Sequence, residues 1–276
     1  MQPPHTYHFI SGLPRSGSTL LAAILNQNPA FKAAMSSPVF NVFHAAIGAM
    51  GTSNEYAIFL DQDQKSRILR GILDGYYADA PAPVIFDTNR MWTARLPALR
   101  LLYPEARIIA CVRNPAWILD SIENLIRKNP LDATRMFGTQ AEQISVFARA
   151  DGLIDKQRLI GSAYHALKEA YYGADASAML VLNYDTLVSH PKDALALIYQ
   201  FLNEPLFAHD FDSVTYQAEA FDSQLLAKGL HDVTGRVEPR PRPSILPPDL
   251  FKRFAAMEFW GQGNSRAHFI SEAKPR

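Results

Sequence analysis

The chain has 276 residues, of which 48% are apolar, and its 27 basic residues balance 27 acidic ones. That length supports a sizeable core and reads as one domain over 1–276, while the zero net charge argues against a general nucleic-acid binder. A single cysteine, Cys111, excludes an intrachain disulfide and a cysteine-rich metal site, and its apolar setting marks a buried core residue.

In chain order, "YHFIS" at 7–11 reads as a buried strand and "STLLAAILNQ" at 18–27 as a helix. Between them lies "GLPRSGST", residues 12–19. It follows the phosphate-loop spacing G-x-x-x-x-G-K-[ST] through Gly12, Gly17 and Thr19, but Ser18 stands where the lysine belongs and Arg15 has entered the loop. Strand, glycine loop and helix together make an anion cradle: inward backbone N–H groups, a positive helix end, the hydroxyls of Ser16, Ser18 and Thr19, and the fork of Arg15.

Helical spacing recurs at 66–77, a second strand falls at 83–87, and a helix spans about 93–103. A third strand at 106–112 is apolar almost throughout, as for a strand buried on both faces of a parallel sheet. Helices follow at 116–128, 139–150 and 157–172, then a fourth strand at 178–184. A helix at 191–202 takes Ser189 as its N-cap, and another lies near 247–259. Strands alternating with helices predict an α/β fold, a central parallel sheet flanked by helices, with ligands at the carboxyl ends of the strands.

The strand ends are the places to look for chemistry. After the second strand, Asp87 can accept a proton and Arg90 can neutralise an anion, or the two can be a helix cap and a solvated side chain. After the third, Arg113 and Ser121 can grip one phosphate from two sides, or Arg113 can pair with a carboxylate while Ser121 lies on the helix surface. After the fourth, Tyr184 can stack on a base, hydrogen-bond a phosphate, or pack in the core.

Taken together, these strand ends resemble the sulfotransferase superfamily, whose members transfer a sulfuryl group from 3′-phosphoadenosine 5′-phosphosulfate (PAPS). The family's P-R-S-G-[ST]-T loop corresponds to Pro14-Arg15-Ser16-Gly17-Ser18-Thr19. Its strand-end arginine and the serine eight residues later correspond to Arg113 and Ser121, and its late strand ending in tyrosine and an acidic residue to "VLNYDTL". The resemblance implies a P-loop-like fold and a metal-free donor site, with the loop on the 5′-phosphosulfate and Arg113 with Ser121 on the 3′-phosphate. The donor has no β- or γ-phosphate for a P-loop lysine to reach. Adenosine 3′,5′-bisphosphate (PAP) would be the product.

The family's bases do not carry over. Cytosolic members have Lys-Thr-His after the second strand, where this chain has Asp87-Thr88-Asn89-Arg90; the tyrosylprotein branch has a glutamate where this chain reads "NPAFKAAMSSPVF". Asp87 is therefore the first candidate base, with Arg90 as the positive group at the leaving group or the sulfuryl oxygens, and His44 and His231 are alternatives. The segment 229–243, with Arg236, Arg240 and Arg242, is read as a loop that either closes over the nucleotide or lies open in solvent, and the wider loop 229–248 is expected to help shape the acceptor site. Helical insertions at about 35–80 and 130–175 are expected to shape a site for a small-molecule, lipid or saccharide hydroxyl or amine.

A cytoplasmic protein without a membrane span is the expectation, with a homodimer as one possible state. Two other readings stay open. A P-loop kinase or NTPase would need a magnesium-holding aspartate, for which Asp87 is the one candidate; a non-catalytic nucleotide-binding protein would keep the cradle without a base.

Overall fold

Apolar runs at each of the four expected strand positions join one parallel sheet. The structure, a computed structural model, describes residues 5–128, 136–224 and 229–270. β1 (Thr6–Gly12) leads to α1 (Ser18–Leu25), the short β2 (Phe31–Ala33), α2 (Val39–Ala49) and α3 (Gln62–Tyr76). β3 (Val84–Thr88) and α4 (Leu96–Leu102) come next, then β4 (Ile108–Val112) and α5 (Pro115–Lys128). After α6 (Val146–Ile154) and α7 (Leu159–Tyr172), β5 (Met179–Asn183) runs directly into α8 (Tyr184–Ser189) and α9 (Pro191–Leu202). The chain closes through β6 (Val214–Tyr216), α10 (Glu219–Gln224), β7 (Val233–Gly235), α11 (Pro248–Ala255) and β8 (His268–Ile270).

The sheet order is β2-β3-β1-β4-β5-β8 with every pairing parallel, and β6 and β7 form a separate antiparallel pair. Ile10 pairs with Thr88, Gly12 with Cys111 and Val112 with Asn183, so four strands end along one edge.

Burial on both faces explains the unbroken apolar run of β4. Ile108, Ala110 and Val112 join a layer with Phe43, Trp92 and Leu167, while Ile109 and Cys111 join the other with Leu21, Ile24 and Ile198. Cys111 is in the core as expected, and burial pushes its thiol up to about 12.

Several local expectations shift. The helix expected at 139–150 is instead a short 3-10 turn, Ala141–Gln143, followed by α6, whose N-cap Ser145 accepts from the Ala148 amide at 3.1 Å. Ser189 is not the cap of α9 but the last residue of α8. Pro191 fits the first helical position, which makes His190 the cap residue, without a side-chain bond. β2, β6, β7 and β8 are three residues each, too short for alternation to register.

His8, on β1, is 2% exposed, and its Nδ1 accepts from the Arg107 amide at 3.2 Å. Burial, with a smaller contribution from the Arg107 charge, lowers its pKa to about 4. Between the unfolded value of about 6.5 and the folded value, only the unfolded chain takes up this proton. Stability from neutral His8 is thus present above pH ~6.5 and is lost as pH falls toward 4. Urea unfolding is expected to show a slope approaching ~1.4 kcal/mol per pH unit from this group across that window, and His8→Gln to flatten it. An unchanged slope in His8→Gln would assign the acid sensitivity elsewhere.

Candidate functional site

The carboxyl ends of β1, β3, β4 and β5 open on a cavity of about 1100 Å³. Its lining includes Arg15, Arg90, Arg113, Arg158, Arg236 and Arg240 and, among the described residues, the carboxylates of Asp232 and Glu238; Arg158 is paired with Glu142 at 2.5 Å and Arg236 with Asp212 at 3.0 Å. In a chain with no net charge, that concentration of guanidinium groups selects an anionic ligand with several charges.

The turn after β1 is built for close approach. Arg15 adopts φ 58° and Gly17 φ 89°. Gly17 caps α1 without a side chain, so no capping side chain occupies the first-turn amides. Pro14, Arg15, Gly17, Ser18 and Thr19 line the cavity. Ser16 does not present its hydroxyl there. The tight turn buries its side chain to 1% exposure and its Oγ donates to the Pro14 carbonyl at 3.3 Å, so only its backbone remains for a ligand.

Arg15 Nε donates to Ser121 Oγ at 3.2 Å, and Nη1 donates to the Leu230 carbonyl. Burial, then the nearby Arg113 charge, lowers the Arg15 pKa, with Tyr184 and Asp222 opposing. The Arg113 guanidinium lies over the Tyr184 ring at 4.3 Å, and its Nε is buried with no hydrogen-bond partner among the described residues. Tyr184 also sets the space at Gly17, where an added Cβ would stand 2.8 Å from its Cδ2. The tyrosine thus supports both the loop and the strand-end arginine. The two predicted phosphate grips are joined through the Arg15–Ser121 contact.

A Sulfotransferase family model matches residues 8–208. The chain belongs to the sulfotransferase family. Three solved structures similar to this sulfotransferase are themselves sulfotransferases or sulfotransferase domains. The domain from the curacin biosynthetic pathway is 14% identical over 93% of this chain and 98% of its own, with a TM-score of 0.51, and supports the P-loop-like α/β fold. The domain from the Synechococcus PCC 7002 olefin synthase is 16% identical over 93% and 95%, with a TM-score of 0.48. Sulfotransferase STF9 from Mycobacterium avium is 17% identical over 75% of this chain and 66% of its own, with a TM-score of 0.46. No curated protein sequence matches the chain.

The base candidates of this sulfotransferase separate sharply. Asp87 is fully buried and absent from the cavity lining. Its carboxylate accepts from Ser37 Oγ at 2.5 Å, Tyr77 OH at 2.6 Å and Trp92 Nε1 at 2.6 Å. Burial raises its pKa, and those three donors oppose the rise. The expectation that Asp87 is the base is therefore corrected: it pins Trp92 and Tyr77 in the core, with Ser37 between it and the cavity. Arg90, expected at the leaving group or the sulfuryl oxygens, lines the cavity; among the described residues its guanidinium meets no carboxylate, and its backbone carbonyl accepts from Ser11 Oγ at 3.0 Å.

His44 is exposed outside the cavity, stacked on Phe40 at 5.6 Å and bonded to Arg95 Nη2 at 2.5 Å. His231 does line the cavity. Its Nδ1 lies 2.5 Å from Oδ1 of Asp222, a residue that sequence reasoning passed over. Asp222 sits in a short helix with no recognisable motif, so no local signal marked it.

Part of the segment 229–248 borders the cavity, with Arg236 and Arg240 themselves exposed. Arg236 and Arg240 face it, and Arg236 also pairs with Asp212 at 3.0 Å on the surface. Arg242 turns the other way. It pairs with the fully buried Asp120, which also accepts from Ser244 Oγ and the Ile245 amide at 2.8 Å each. Burial acts to raise the Asp120 carboxyl, but the bonds from Arg242, Ile245 and Ser244 outweigh it and hold it below the usual carboxylate range. The loop is thereby tied to α5 at the residue preceding Ser121.

Of the segments expected to shape an acceptor pocket, Met35, Asn41, Met136, Gln157 and Ser162 contribute lining. Residues 129–135 of the second insertion lie outside the described residues. Among the described residues, no group of three His, Cys, Asp or Glu is placed to hold a metal ion, and no helix is long and apolar enough to cross a membrane.

Proposed function

We propose that the protein transfers a sulfuryl group from PAPS, without a metal, to a hydroxyl or amine of a small-molecule acceptor. The observation that carries this reading is Arg113: a guanidinium at the end of β4, braced on Tyr184, with a buried Nε that has no partner among the described residues. A buried donor left unpaired costs stability unless a ligand completes it. Arg113 and Ser121 would hold the 3′-phosphate. Arg15, the first-turn amides of α1 and the hydroxyls of Ser18 and Thr19 would hold the 5′-phosphosulfate.

Those groups are aimed where charge develops on the leaving phosphate. Arg90 would face the sulfuryl oxygens, and Arg236 with Arg240 would cover the nucleotide from the loop. Substrate sites typically occupy about 300–1,000 Å³, so a cavity of about 1100 Å³ has room for a nucleotide and an acceptor together. Methionines 35, 91 and 136 in its wall suit an acceptor of adaptable shape.

Calorimetry tests the donor. Metal-free PAP is expected to bind with a micromolar Kd, about −8 kcal/mol, more tightly than ATP with magnesium. A preference for magnesium-ATP would replace this reading with phosphoryl transfer.

A further inference from the structure

We propose that His231 is the general base of this sulfotransferase and that Asp222 is the residue that positions it. This rests on the donor reading above and adds the group that takes the acceptor's proton. Both residues lie beyond the segment matched to the family, residues 8–208, so the assignment comes from the geometry of this chain.

Asp222, on α10, is 1% exposed, and both its oxygens are spent on one residue. Oδ2 accepts from the His231 backbone amide at 2.9 Å and Oδ1 meets His231 Nδ1 at 2.5 Å. That two-point grip fixes the ring as well as the chain beneath it. A carboxylate can only accept, so Nδ1 carries a proton, and in the neutral ring the lone pair then lies on Nε2. Nε2 has no partner among the described residues, and the side chain is 20% exposed where the residue lines the cavity. The Phe221 ring meets the imidazole edge-on at 5.6 Å and limits its tilt.

The adjoining carbonyl, of Leu230, accepts from Arg15 Nη1. The segment carrying His231 is therefore tied to Arg15, whose Nε meets Ser121, and the imidazole lines the same cavity as the anion loop. The charged groups facing the pair are Arg15, Arg113 behind it, and Asp232 next in the chain. Asp87 and His44 are removed from the role by burial and by position.

In the step this supports, Nε2 takes the proton of the acceptor hydroxyl as that oxygen forms its bond to sulfur. The sulfur–oxygen bond to the 5′-phosphate breaks, its electron pair stays on the phosphate, and the imidazolium then returns the proton to water. His231 is the catalytic residue and Asp222 acts through it.

Nitrogen-15 spectra of the histidine rings test the pair without any acceptor, with His231→Gln used to assign the signal. The neutral ring of the wild type is expected in the Nδ1–H form, and Asp222→Asn is expected to shift it toward the Nε2–H form. His231→Gln should bind PAP within about threefold of wild type, because its ring does not belong to the donor grip. With 2-naphthol as acceptor, His231→Gln should lower kcat by about 10²–10⁴-fold. Asp222→Asn should lower it by about 10–100-fold, with KM little changed.

An Nε2–H wild type, or a spectrum that Asp222→Asn leaves unaltered while PAP still binds, overturns the pair alone. Wild-type turnover by His231→Gln overturns the base. Failure of the wild type to bind PAP overturns the donor reading and the catalytic role with it, and the spectrum would still report whether Asp222 holds the ring.

Discussion

Replacing Arg113 with alanine is expected to weaken PAP binding by about 150-fold, close to 3 kcal/mol, with the fold intact. The guanidinium stands at the end of a central strand, and no carboxylate among the described residues neutralises it. Its charge is thus available to a phosphate, and removing it takes a charge-assisted fork out of a sheltered site. Little native structure depends on it, because its one described contact is the face of Tyr184.

Arg113→Lys should recover only part of the affinity. An ammonium supplies the charge but neither the planar fork nor the same fit over the tyrosine. Calorimetry on both variants, with a urea midpoint as the check on folding, decides the matter. Equal PAP affinity in wild type and Arg113→Ala would remove the 3′-phosphate assignment.

Gly12→Ala is expected to cost more than about 4 kcal/mol and to leave little folded protein. Gly12 adopts φ 107°, a region that L side chains rarely enter. A Cβ there would stand 2.1 Å from the Cys111 carbonyl oxygen and 2.6 Å from the Cys111 amide nitrogen. Both obstacles are backbone atoms of a central strand, and the same carbonyl receives the Leu13 amide at 2.8 Å. Nothing nearby can rotate away, so the β1–β4 pairing and the start of the anion loop would move together.

Gly71→Ala provides the contrast, since an added Cβ within α3 meets nothing within 4 Å. There the same substitution should stabilise by about 0.5–1 kcal/mol through helix propensity and a less flexible unfolded chain. Urea midpoints of the two variants should move in opposite directions. A Gly12→Ala protein as stable as wild type would mean the loop does not approach β4 this closely.

Contiguous and strand-end features were legible in the chain itself. Pro14–Thr19 carries its own turn chemistry, and its neighbours declare a strand before it and a helix after it. Arg113 and Ser121 lie on consecutive elements, so one strand end and one helix bring them to the same edge. Apolar runs at 7–11, 83–87, 106–112 and 178–184 settled the parallel sheet, because burial on both faces demands continuous hydrophobicity.

Side-chain direction beyond a strand end was not legible. Asp87 follows the same logic as Arg113, yet one faces the core and the other the cavity. The difference lies in Tyr77 and Trp92, whose donors reach Asp87 from elements outside its strand. Ser16 sits within the loop motif and still turns inward, because the bend at Arg15 aims its hydroxyl at Pro14.

The far side of the cavity was the least visible. Arg242 meets Asp120, 122 residues earlier, while Arg236 and Arg240 from the same loop face the ligand space. His231 stood among several histidines until Asp222 and Arg15 singled it out. Periodicity and turn chemistry are local properties, so the sequence by itself determined the four central parallel strands, the helices that alternate with them, and the anion loop, while the short edge strands and the order of strands in the sheet came from the tertiary structure. Which carboxylate is buried as an anchor, which histidine is gripped, and which arginines remain free depend on contacts between distant segments, and only the tertiary structure decided them.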